Sequence, residues 1–267
     1  MNINSSYTTI PNINDVQSTS LEKIGSSLAI NSASDDASGL AISDALGLQK
    51  ASLTQSIENM NSGIAMGNIA QSGIASQKEL LENIHTETLK AMTATTSDEG
   101  REAIQKQISK YIDQYEQIAS STTYNGDTLL KTSGDITDDI SIVGDETIID
   151  MQKADTTSIS DTMKTLMQSF STDASSREAM LDIVNSGIDK LSSYASDFGS
   201  SANAMESSAR NSISTEKEIA AANSTIADID YSKEVSDFSK TNLLSQIGMI
   251  VQSQSNAVQS RNIALLS

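Results

Sequence analysis

A single proline, Pro11, stands in 267 residues, and this constrains the chain more than any other feature. Proline removes a backbone donor and clashes with the preceding helical turn. From residue 12 onward nothing of that kind interrupts a long helix. Stepping alternately by four and three residues tests for a helix–helix seam. From Leu53 the steps fall on Ile57, Met60, Ile64, Gly67, Gln71, Ile74, Lys78 and Leu81. From Val184 they fall on Ile188, Leu191, Ala195, Phe198, Ala202, Met205, Ala209, Ser212, Glu216, Ile219, Asn223 and Ile226. Both are coiled-coil-like stripes. A third runs through Leu244, Ile247, Val251, Gln254, Val258, Arg261 and Leu265, and a short one through Leu21, Ile24 and Leu28.

Composition agrees with thin seams rather than a thick core. Aromatics are 3% of the chain and Trp is absent, so buried area has to come from Ile, Leu, Ala and Met. Helix starts have recognisable signals. Thr96 to Glu99 and Ser175 to Glu178 have the capping-box spacing, and Asp230 is placed to cap a helix beginning near Ser232. The stretch TTSDEG predicts a break near residues 93–98, followed by a helix from about Asp98 to Ser121.

The middle of the chain differs. In TTYNGDTLL, Asn125-Gly126 is a turn signal. DISIVGDETIID alternates and turns at Gly144-Asp145, which reads as a β-hairpin. Residues 124–172 carry no heptad stripe. The predicted fold is mainly α: an elongated rod of long antiparallel coiled-coil-like helices with a small β-hairpin region near 124–155. A helix of about 45 residues is roughly 70 Å long.

Chemistry finds little purchase. Net charge is −18, which disfavours nucleic acid and anionic membranes. No run of about 18 apolar residues is long enough for a membrane span. There is no Cys and one His, His85, so thiolate sites and the usual histidine sites are excluded. We read His85 as a polar surface residue. The N-terminal MNINSSYTTIPNIND lacks the basic and apolar regions of a cleavable signal peptide. The acidic cluster Asp135, Asp138, Asp139 and Asp145 does not match an EF-hand loop and reads as a solvated loop. In NSASDDASGLAI, Asp35 and Asp36 resemble a catalytic pair, but adjacent helical residues point about 100° apart. As a helix start the pair makes sense, because carboxylates accept free N–H groups there. We expect no catalytic, cofactor or metal site.

LAINSASDDASGLAISDAL and LTQSIENMNSGIAMGNIAQSGI resemble the N-terminal signature of bacterial flagellins. TTYNG resembles the segment where their N-terminal helices end. The run from Glu218 to Ser267, EIAAANSTIADIDYSKEVSDFSKTNLLSQIGMIVQSQSNAVQSRNIALLS, resembles their C-terminal signature. The resemblance implies a structural subunit that self-assembles into an extracellular flagellar filament for swimming, exported without a cleavable signal peptide. It also implies partners: other copies of the chain, an export chaperone, a filament cap protein and a hook–filament junction protein. A junction protein of the same architecture and a secreted helical adhesin are the alternatives. Residues 1–35 with 229–267 correspond to an inner terminal-helix domain in the filament core. Residues 36–228 correspond to a helical rod domain, with no inserted outer domains. Filament packing then falls to Leu21, Ile24, Leu28, Asn31, Asp35, Asp36, Gly39, Leu40, Ile42, Leu244, Ile247, Val251, Val258 and Leu265. Ala29 departs from the family, which usually has Arg there. Many flagellins carry an innate-immune receptor epitope, a Gln-Arg pair with a Leu and a Glu. The equivalent positions here are Ile84, His85, Leu89 and Gln107, of which Leu89 alone agrees.

Overall fold

The computed structural model describes residues 9–131, 140–144 and 147–266. Helix α1 spans Thr9–Ser26, α2 Ala33–Met92 and α3 Asp98–Ser121. Strands β1 (Thr123–Tyr124) and β2 (Asp127–Thr128) follow, then β3 (Ile140–Val143) and β4 (Ile148–Met151). Helices α4 (Thr157–Met167), α5 (Ala174–Ala227) and α6 (Tyr231–Leu266) complete the chain. Pro11 lies in the first turn of α1, where its missing N–H has no intrahelical acceptor to lose. The chain divides into two compact units, Met1–Ala51 with Glu216–Ser267, and Ser52–Thr215.

In the second unit the seams are those of the heptad stripes. Leu53, Met60, Gly67, Ile74 and Leu81 are buried, and the intervening Ile57, Ile64, Gln71 and Lys78 are half-buried. Every position stepped from Val184 to Ser212 is buried or half-buried, as are those from Glu216 to Ile226 where α5 continues into the first unit. Helices α2 and α5 run antiparallel in this unit: a Cβ on Gly63 would meet Met205, one on Gly187 would meet Leu81, and Lys78 Nζ donates to Ser192 Oγ. Helix α3 folds back on α2, with Arg101 Nε donating to the Ala91 carbonyl at 3.2 Å. Helix α4 packs on α3 through the Lys164–Glu116 ion pair and Gln105, which donates to the Met167 carbonyl.

Two hairpins fill the middle. β1 pairs with β2 across Asn125 (φ 52°) and Gly126 (φ 91°), the left-handed pair that a two-residue turn requires. β3 and β4 pair antiparallel with Ile142 opposite Ile149, and Gly144 N–H donates to the Thr147 carbonyl at 2.7 Å. Ile142 and Met151 turn inward, and Ser141 and Asp150 hydrogen-bond on the outer face.

Two expectations need correction. The cap of α3 is Ser97, whose hydroxyl accepts Gly100 N–H at 3.1 Å; the Thr96 hydroxyl donates instead to the Lys90 carbonyl. At α5 the capping acceptor is Asp173, which takes the Ser175 N–H, so Ser175 sits inside the first turn. Helix α4 was not anticipated. Its apolar residues Ile159, Met163, Leu166 and Met167 have helical spacing, but eleven residues are too few for a heptad test to detect.

Candidate functional site

The unit containing both termini offers the most unsatisfied apolar surface. Helices α1 and α6 pack against each other within it. Their connectors meet at one point. Leu28 and Asp228 form an antiparallel bridge, Ala29 N–H donates to the Ala227 carbonyl at 2.7 Å, and Ile229 N–H donates to the Ser27 carbonyl at 3.3 Å. Ser27 has φ 61°, unusual for a residue with a side chain, and stands where α1 ends.

Asp35 and Asp36 serve opposite sides of this connector. Asp36 has extended backbone (φ −160°, ψ 101°) and its Oδ1 accepts the N–H groups of Ser38 and Gly39 at 3.0 and 2.9 Å. It is therefore the cap of the continuous part of α2. Asp35 faces backward: its Oδ2 accepts Asn31 N–H, Ser32 N–H and the Ser32 hydroxyl, and Lys23 Nζ lies 3.9 Å from Oδ1. The Asn31 N–H bond holds the Asp35 carboxyl below its ordinary value; Ser32 and Lys23 act in the same direction and burial opposes them. Gly39 is buried, and a Cβ there would come within 2.6 Å of Ile30 Cδ1. The small residue lets the connector lie against the helix.

On α6 the face toward α1 is made of small and polar groups. Thr241, Asn242, Gly248 and Gln252 are half-buried, and Ser245 is buried, as is Ser20 of α1. Among the described side chains of that stripe, Phe238 is the one large apolar group. Ile247 lies two residues from Ser245, a turn of about 200°, and is 55% exposed. Leu244, Val251 and Val258 are exposed beside it, and so are Leu243 and Ile250, which heptad stepping passed over. On α1 and its connector Leu21 and Leu28 are exposed and Ile24 is half-buried. Leu40 is half-buried and Ile42 exposed on α2. Leu265 lies in α6, but its side chain falls outside the described residues.

Elsewhere, Ile84 is fully buried, His85 and Gln107 are half-buried, and Leu89 is exposed. The acidic cluster of Asp135, Asp138, Asp139 and Asp145 lies outside the described residues. Among the described residues, no group of three His, Cys, Asp or Glu side chains is placed to hold a metal, and no helix is long and apolar enough to cross a membrane.

Comparison with known proteins bears on this surface. The family model for the bacterial flagellin N-terminal helical region matches residues 1–135, and that for the C-terminal helical region matches residues 181–266. A flagellin of Halalkalibacterium halodurans is 27% identical over 247 residues, covering 92% of this chain and 89% of that protein. The flagellar filament 31.3 kDa core protein of Treponema maltophilum is 26% identical over 267 residues, covering 95% and 93%. A solved structure of a putative flagellar hook-associated protein from Vibrio parahaemolyticus shares the fold, with a TM-score of 0.65 at 12% identity over 73% of this chain and all of that one.

Proposed function

This chain belongs to the bacterial flagellin family, and from that membership we propose that α6 presents the surface through which its copies join. The protein is a structural subunit of the extracellular bacterial flagellar filament, which serves swimming motility. The observation that carries the assembly reading is the arrangement of α6. Its small and polar face is already covered by α1, with Leu244 at the edge of the groove between the two helices, while Leu243, Ile247, Ile250, Val251 and Val258 are turned toward the other sides. An exposed apolar stripe of this kind marks an interaction surface. Leu21, Ile24, Leu28 and Ile42 extend the packing surface on the N-terminal side. Asn31, Asp35, Asp36, Gly39 and Leu40 set the connector from which it is presented. The breaks in helix direction at Asp36 and at residues 228–230 support treating 1–35 with 229–267 as the filament-core domain and 36–228 as the outer helical domain.

The subunit performs no catalysis in this reading. It is exported to the cell exterior and works with an export chaperone, a filament cap and a hook–filament junction protein. The test is electron microscopy of the purified chain after polymerisation is induced. Long filaments of uniform width are expected. Short aggregates, or a chain that caps preformed filaments without extending them, would instead indicate a junction protein.

The positions equivalent to the innate-immune epitope make this chain a weak agonist. Ile84 has no surface to offer, His85 lacks the planar guanidinium fork of Arg, and Gln107 lacks the charge of Glu. A reporter-cell titration beside a flagellin with the full motif checks this; equal potency would refute it.

A further inference from the structure

The interior of the Ser52–Thr215 unit holds a polar node that no sequence motif announces. Gln77 of α2 is fully buried, and its Nε2 donates to the Tyr115 carbonyl at 3.2 Å and to Thr156 Oγ1 at 2.9 Å. The Thr156 hydroxyl passes its own proton to the Leu130 carbonyl at 2.9 Å, and that carbonyl also accepts Thr156 N–H at 3.2 Å. Helix α2, helix α3, the loop after β2 and the approach to α4 therefore meet at one point.

Two atoms are left over. Gln77 Oε1 and the Tyr115 hydroxyl are both buried, and neither has a hydrogen-bond partner among the described residues. Flipping the Gln77 amide gives no remedy, because the Tyr115 carbonyl can only accept and fixes Nε2 toward it. Burial pushes the Tyr115 hydroxyl above its ordinary value, so it keeps its proton and needs an acceptor. It faces the same Thr156 side chain that Gln77 reaches. The nearby Asp155 carboxylate takes the N–H and hydroxyl of Thr157 on Oδ1 and makes no hydrogen bond to Tyr115. Buried polar atoms left unmatched in this way are the usual hosts of internal water, which makes about three hydrogen bonds.

We infer that the node is a binding site for one ordered water. The water accepts the Tyr115 proton, donates to Gln77 Oε1, and turns its second proton to the free lone pair of Thr156 Oγ1. Every polar atom of the node is then satisfied. The loop after β2 and the start of α4 are tied to the long helices through a solvent molecule rather than through side chains alone.

A density map of the full chain, in filaments or as purified subunit, tests this at a resolution that shows ordered water. A peak within hydrogen-bond distance of Gln77 Oε1 and the Tyr115 hydroxyl is expected. A dry node, with Tyr115 donating directly to Thr156 or Gln77 or with the atoms simply unpaired, would overturn the inference. Thermal unfolding gives a second measurement. Tyr115→Phe should lower the midpoint by about 2–4 °C. Gln77→Met should lower it further, because it also strips the Tyr115 carbonyl and Thr156 Oγ1 of their direct bonds. The double variant should lose less than the sum of the two, because both hold the same water. Additive losses, or single variants that melt with the unchanged chain, would also overturn it.

Discussion

Asp36 takes the first free amides of α2 while Asp35, one residue earlier, takes amides of the connector behind it. The sequence suggested a helix-start role for both. The division of labour follows from the extended backbone at Asp36, which turns adjacent side chains to opposite sides. Because the folded chain holds the Asp35 carboxyl below 3.8, its contribution is fully present above that ordinary value and is lost as pH falls through the lower folded value. Amide exchange, corrected for intrinsic rates, should therefore show Asn31 and Ser32 losing protection as pH drops below the ordinary carboxylate range. In Asp35→Asn they should be weakly protected at neutral pH and show no acid step; an unchanged step would assign it to another group. Gly73 is a second residue fixed by close approach. A Cβ there would lie 2.6 Å from Thr122 Oγ1 and 2.8 Å from Leu130 Cδ1. Gly73→Ala is expected to destabilise the chain by about 1–3 kcal/mol, read from denaturant unfolding; an unchanged midpoint would mean the loop relaxes freely.

Helix α6 shows how one element serves two surfaces. Toward α1 it offers Thr241, Ser245 and Gly248; on the other side it offers Ile247, Val251 and Val258. Ile247→Asp places a charge on the exposed side, so the isolated subunit should keep its helicity by circular dichroism and its stability within about 0.5 kcal/mol. If that face is covered in the filament, the same charge is buried without a basic partner, at a cost of several kcal/mol. Sedimentation should then show no polymer at concentrations where the unchanged chain assembles. Polymerisation at the unchanged critical concentration would place Ile247 outside the interface. Helix α5 is the opposite case. Its stripe from Val184 to Ile226 is covered within the chain itself, so periodicity alone located its buried side.

Across the whole molecule, the unit Ser52–Thr215 has its own core, from Met60 and Leu81 on α2 to Phe198 and Met205 on α5. Deleting residues 231–267 removes α6 and the partner of α1 but leaves that core intact. The truncated chain should be a monomer that retains the unfolding transition of this unit in calorimetry and forms no filaments; filaments would show that α6 is dispensable. The sequence by itself determined that long helices form, where α3 begins and ends, and which sides of α2 and α5 are buried. Each rests on a local signal: scarce proline, a seven-residue period, or turn residues such as Asn125-Gly126. It did not reveal α4, whose signal is too short, or the node of Gln77, Tyr115 and Thr156, whose members are 38 and 79 residues apart. Nor did it reveal which face of α6 meets α1. A periodic stripe marks apolar surface without saying what covers it. Only the folded chain shows α1 held by the small-residue face while the larger stripe is left exposed, because small side chains let two helices approach and Ile, Leu and Val at those positions would hold them apart.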